Sequence, residues 1–164
     1  MIVRSARQKI KTLKEIVAIV KRARQRGLKV VTTNGCFDLL HVGHIRNLKK
    51  AKSLGDLLVV GVNSDASVRA YKNSSRPIVP AKERAEVLAA LETVDYVFVF
   101  NERTPIGWIK KLKPNVHVKG RDRAPEEIVE KEVVEINGGR VVLVPYVKGK
   151  STTEILKRIL RKTR

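Results

Sequence analysis

The sequence predicts an α/β fold: a single Rossmann-like domain with a five-stranded, mostly parallel sheet and helices on both faces. Three observations carry this. Short runs rich in branched aliphatics alternate with amphipathic stretches from residue 29 to the end of the chain. Val, Ile and Leu dominate the 43% apolar content, against three Phe, three Tyr and one Trp, which suits parallel strands buried on both faces. A length of 164 residues holds one domain with a real core, and is short for two.

Taken in order, Ile10, Leu13, Val17 and Val20 recur at helical spacing between basic residues, so 8–26 reads as one amphipathic helix stopped by Gly27. This leading segment, 1–27, is expected to pack on a domain formed by 28–164. KVVTT (29–33) reads as the first strand, followed by a glycine-containing turn and a helix ended by Gly55. DLLVVGV (56–62) is the second strand, and 64–80 a short helix plus loop. Pro80 suits the first turn of a helix running to about Glu92. DYVFVF, a short helix from Thr104–Pro105 to Leu112, and NVHVK follow. Pro125 is expected to open an acidic helix that Gly138 and Gly139 stop, before the strand RVVLVPY. Ser151 and Glu154 form a capping box for a last helix bearing Ile155, Leu156, Ile159 and Leu160.

Composition narrows the function classes. Cys36 is the only cysteine, no zinc-spaced Cys/His cluster occurs, and the N-terminus lacks a signal-peptide apolar run, so a cytoplasmic location is expected. No apolar run approaches the roughly 20 residues that span a bilayer. The formal charge of +19 is uneven: residues 1–29 hold ten Lys/Arg against one acid and 148–164 seven against one, leaving little for the middle. Such ends could hold nucleic acid, an anionic membrane or a polyanionic substrate, or simply be solvated helix faces.

The block from Thr32 to His44, TTNGCFDLLHVGH, carries the chemistry. A strand end, a glycine turn and an H-x-G-H step lead into a helix, where unpaired amides and the helix dipole favour an anion. His41 and His44, three apart, share one side of that helix start and together can grip a triphosphate, while Gly43 permits close approach. Such a site suits attack of a phosphate oxygen on a nucleotide α-phosphorus, which needs charge stabilisation and no protein nucleophile. Cys36 therefore reads as packing or backbone contact.

At this block the sequence resembles the cytidylyltransferase-like nucleotidyltransferase family, and within it the D-glycero-β-D-manno-heptose 1-phosphate adenylyltransferases. The likeness extends through RGLKVV, LGDLLVVGVNSDASV, SRPIVPAKERAEVLAALETVDYV, LKPNVHVKGRD and KSTTEILK. It implies a nucleotidyltransferase with ATP at the H-x-G-H, Mg2+ on the nucleotide phosphates rather than on protein ligands, and a sugar phosphate as acceptor. The family often pairs as dimers, and the leading helix could serve a homodimer interface.

Carried over by position, the resemblance gives His41 and His44 as catalytic and places Asn34, Gly35, Cys36, Phe37 and Gly43 about the nucleotide phosphates. Arg46 falls where related cytidylyltransferases put a basic residue on the phosphates; a solvated helix residue is its alternative. Asp38 reads as ordering the turn by capping nearby amides. At the fourth strand's end, Lys119 can neutralise pyrophosphate, and Gly120 and Asp122 approach the nucleotide, with Asp122 accepting from ribose or sugar hydroxyls. His117 reads as a packing residue. Ser151, Thr152 and Thr153 open the last helix and can receive the β- and γ-phosphates. Arg76 and Arg84 lie near a loop that could close over the site and, with Arg121, are candidates for the acceptor; Arg84 is alternatively an exposed helix charge. Arg121 and Arg123 replace the glycine and aromatic usual in the heptose enzymes, and Tyr146 stands where cytidylyltransferases tend to have Arg.

The expected reaction is AMP transfer from ATP to a sugar 1-phosphate or similar acceptor. The alternatives are CTP with an alcohol phosphate such as glycerol 3-phosphate, adenylylation of FMN, or a non-enzymatic protein that binds RNA or acidic lipid.

Overall fold

Five strands, β1 (Val30–Gly35), β2 (Leu57–Asn63), β3 (Tyr96–Phe100), β4 (Val116–Gly120) and β5 (Arg140–Val144), form one sheet in the order β3-β2-β1-β4-β5 in this computed structural model. The structure describes residues 5–72, 75–120, 128–145 and 147–162. Every neighbouring pair runs parallel, with Val31 facing Val116 across β1 and β4 and Val60 facing Val97 across β2 and β3. The chain builds outward from β1 to β3, then returns across the sheet to lay β4 on the other side of β1. That reversal opens a crevice at the carboxyl ends of β1 and β4, the place where open parallel sheets bind ligands.

The strands are aliphatic because both faces are covered. On one face, α3 (Val42–Lys52) and α5 (Ala81–Ala90) bring Leu48, Ala51, Ala85 and Leu88 onto Val31, Leu58, Val60, Val62 and Val118. On the other, α2 (Leu13–Gln25), α6 (Ile106–Leu112) and α7 (Lys131–Ile136) set Ile16, Val20, Trp108, Leu112 and Val134 against Val30, Val59, Phe98 and Phe100. Alternate residues of β2 thus enter different cores, which is why its sequence reads as an unbroken apolar run. The remaining helices are α1 (Ala6–Lys9), α4 (Asp65–Tyr71) and α8 (Thr152–Lys162).

Two expectations change. The leading helix is not continuous: Ile10 leaves it to bridge Val97, Lys11 N–H donates to Val97 O at 2.9 Å, and α2 starts afresh after Thr12. Thr12 and Glu15 form a capping box inside the periodic run, with Thr12 N–H donating to Glu15 Oε2 at 2.7 Å. The break lets the chain cover the outer edge of β3, which would otherwise present unpaired backbone groups. The acidic helix, α7, starts at Lys131, and Pro125 lies outside the described residues.

Candidate active site

The last residues of β1 and the turn after them set the geometry of the crevice. Phe37 adopts a left-handed backbone conformation, φ +50°, uncommon for a residue with a side chain. It turns the ring back over Gly35, where a Cβ would come within 3.1 Å of the ring, and toward His44, with centroids 5.2 Å apart. Asp38, 4% exposed, anchors the turn from the far side. Its Oδ1 accepts from the amides of Ile78 and Val79, both at 2.9 Å, and its Oδ2 from Arg76 Nε at 2.6 Å. The amides it caps are some 40 residues along the chain, not in its own turn.

His41 is the residue before the first turn of α3, in extended conformation, and His44 lies one turn in. Their rings stack with centroids 3.8 Å apart and planes 25° from parallel. Burial pushes both imidazoles below their ordinary range, and His44 falls to about 4 chiefly through burial, with smaller contributions from neighbouring His41 and Lys72. Both rings are therefore neutral at pH 7. Gly43 is required between them: a Cβ there would stand 2.9 Å from His41 Nδ1 and 3.5 Å from Lys150 O. The start of α8 thus lies against the H-x-G-H step, and Thr152 Oγ1 fixes it by donating to Leu39 O at 3.3 Å. Ser151 Oγ accepts from Glu154 N–H at 3.1 Å.

At the end of β4, Lys119 Nζ donates to Asn34 Oδ1 at 3.1 Å and lies 2.6 Å from Glu130 Oε1, so the cation bridges the two central strand ends. Glu130 is 2% exposed. Burial favours its neutral form, but His117 and Lys119 outweigh this and hold its carboxyl at about 2. His117 is more than packing. Thr32 Oγ1 lies 2.8 Å from its Nδ1, and its Nε2 is 3.4 Å from Glu130 Oε1. With Thr32 donating to Nδ1, the ring proton sits on Nε2 and faces the carboxylate. Burial keeps this imidazole neutral.

These elements enclose a cleft of about 700 Å³, within the range of small-molecule sites. Asn34, Gly35, Cys36, Phe37, His41, Gly43 and His44 line its centre. Lys119, Gly120, Ser151, Thr152 and Thr153 line one side, and Arg76 the other. Arg46 is exposed on α3 and does not reach the cleft. Arg84 is neither an exposed charge nor a cleft residue: its side chain is fully buried and donates to Val79 O, Cys36 O, Asn63 O and Asp65 Oδ1. With four of its five N–H donors committed inside the protein and its side chain fully buried away from the cleft, it does not reach an acceptor. Arg121, Asp122, Arg123 and Tyr146 lie outside the described residues. Among the further residues that line the cleft and that the sequence did not mark as site residues are Asn47, Lys72, Arg103, Glu130 and Lys150. Asn47 follows His44 by three and could have been found from helical spacing; Glu130 looked like one more acid in an acidic helix.

Residues 32–158 match the family model described as cytidylyltransferase-like. The chain belongs to the cytidylyltransferase-like family. As a member, it is a nucleotidyltransferase. It is 58% identical to the bifunctional protein HldE of Geotalea uraniireducens over 92% of its own length and 31% of that protein's. It is 56% identical to the HldE of Geobacter metallireducens, over 93% and 31%. The chain thus spans about a third of the length of these curated relatives. A crystal structure of the lipopolysaccharide core biosynthesis protein from Thermoplasma volcanium is 32% identical, with a TM-score of 0.62, covering 74% of this chain and 98% of that one. Pantoate-beta-alanine ligase from Francisella tularensis shares the fold at 18% identity and a TM-score of 0.61, over 93% of this chain and 78% of that one. No helix among the described residues of this cytidylyltransferase-like chain is long and apolar enough to cross a membrane.

Proposed function

We propose that the chain transfers AMP from ATP to the phosphate of a sugar 1-phosphate, releasing pyrophosphate. The observation that carries this reading is the stacked pair of neutral imidazoles, His41 and His44, set between a strand-end glycine turn and the hydroxyl-rich start of α8. An acceptor phosphate oxygen forms the new bond to the α-phosphorus while the bond to the β-phosphate oxygen breaks, and the electron pair leaves with pyrophosphate. A phosphate monoester is largely dianionic at pH 7, so it attacks without surrendering a proton to the protein. Neutral rings suit that task, since they donate hydrogen bonds to phosphoryl oxygens and no general base is needed. Lys119 and the Ser151–Thr153 helix start would take the negative charge that departs with pyrophosphate.

Mg2+ would enter on the triphosphate and offset its charge there. The cleft fits such a guest: among the described residues, the carboxylates that line it, Asp38 and Glu130, are each held by a cation, and no cluster of three metal-binding side chains occurs. The sugar 1-phosphate rests on the resemblance of the TNGCFDLLHVGH block and the other similar stretches to the heptose 1-phosphate adenylyltransferases; the matched relatives are bifunctional HldE proteins, of which this chain corresponds to about a third.

The test is pyrophosphate release with Mg2+ and ATP or CTP, against a panel of sugar 1-phosphates, glycerol 3-phosphate and FMN. Release is expected with ATP and a sugar 1-phosphate, falling by about 100-fold or more in His44→Ala. Release confined to CTP with glycerol 3-phosphate, or to ATP with FMN, would replace the acceptor; an unchanged rate in His44→Ala would remove the site. Salt-sensitive RNA or lipid binding with no release from any pair would favour a binding protein instead.

A further inference from the structure

The cleft has two banks, on opposite wings of the sheet. The β4–β5 wing carries Lys119 and, after β5, Lys150 and the start of α8. The β2–β3 wing carries Lys72, at the end of α4, and Arg103, three residues past the end of β3. The histidines stand between: Gly43 faces Lys150 O, whereas Lys72 is close enough to His44 and Cys36 to disfavour protonation of the first and favour ionisation of the second.

The charges on the second bank are unspent. Among the described residues, Asp38 and Glu130 are the only carboxylates lining the cleft, and they are paired with Arg76 and Lys119. Among the described residues, no ion pair or side-chain hydrogen bond engages Lys72 or Arg103. Arg76 adds a further cation in the same wall: its side chain is 9% exposed, and its Nη2 is buried without a hydrogen-bond partner among the described residues.

Displacement at phosphorus places the attacking and leaving oxygens roughly in line. If pyrophosphate departs toward Lys119 and the start of α8, the incoming phosphate must arrive from the opposite wing. Resting on the transfer reaction above, we propose that Lys72 and Arg103 form the subsite for the acceptor's phosphate monoester, with Arg76 as a fixed positive charge in its wall. Two anions must meet at one phosphorus, and cations without internal partners on the approach side offset that repulsion. Lys72 supplies a mobile point charge and Arg103 a fork that can hold two phosphate oxygens at once.

The experiment uses the full chain with Lys72→Ala, Arg103→Ala and the double variant, in two readouts. In steady-state pyrophosphate release, KM for the sugar 1-phosphate is expected to rise about tenfold in each single variant with KM for ATP unchanged. In calorimetric titration, inorganic phosphate is expected to bind protein loaded with Mg2+ and a non-hydrolysable ATP analogue, and to lose about tenfold in affinity in each single variant. A rise in KM for ATP alone would assign the bank to the nucleotide and overturn the proposal, as would variants that match the wild type in both readouts. If the wild type releases no pyrophosphate with any acceptor while phosphate binding still depends on Lys72 and Arg103, the transfer reading fails and the phosphate subsite stands.

Discussion

Arg84 sits on α5 with none of its side chain exposed, and its guanidinium joins the turn after β1, the end of β2, the start of α4 and the loop before α5. Removing it would strand buried acceptors and leave Asp65 without its cation. Arg84→Met, which keeps most of the volume, is expected to cost about 3 kcal/mol in chemical denaturation, within the range for breaking a buried pair from one side. Arg84→Lys should recover only part, because an ammonium cannot reproduce the planar fork. A midpoint unchanged in Arg84→Met would show that the acceptors find other donors. The sequence shows a basic residue in a run of charges, and nothing local distinguishes a buried guanidinium from a solvated one. Asp38 was more legible, since a carboxylate in a glycine turn has amides to cap; which amides it caps only the fold decides.

At the scale of elements, the β1–α3 unit works because a strand, a positive-φ Phe37 and an N-terminal helical turn aim two imidazoles into one cleft. Gly43 is the hinge between this unit and α8. Gly43→Ala is expected to push His41 off its stacked position, reducing kcat in pyrophosphate release by about tenfold or more, while Tm stays near that of the wild type because an alanine suits a helix. A variant with wild-type kcat would show that ring placement is not tight. The H-x-G-H spacing made the unit readable in one dimension, because residues three apart share a helix side whatever surrounds them. The split between α1 and α2 was not readable that way. Helical spacing persists across Thr12, where the pairing of Ile10 with Val97 and the Thr12–Glu15 capping box together break the helix.

For the whole molecule, the neutral histidines make stability depend on pH. His44 is held at about 4 and His117 is also lowered, against an ordinary 6.5, so below pH 6.5 the unfolded chain takes up protons that the folded one refuses. Stability present at pH 7 is expected to decline as pH falls from about 6.5 toward 4. Glu130, held at about 2 against 4.5, adds a further loss as pH falls from about 4.5 toward 2. Calorimetric Tm between pH 7.5 and 3.5 checks this; a flat Tm from pH 7 to 5 would contradict the burial of these rings. By itself the sequence determined the strand and helix alternation, the parallel sheet, and the glycine turn with its histidines, because these rest on periodicity and on residues adjacent along the chain. Only the tertiary structure decided which charges are spent and which face the cleft. It commits Arg84 to the interior and turns Arg46 to solvent, draws Glu130 against Lys119, and leaves Lys72 and Arg103 lining the crevice. The physical reason is that a charge is fixed by partners brought from distant strands, and the order of those strands is set by packing rather than by any local run of residues.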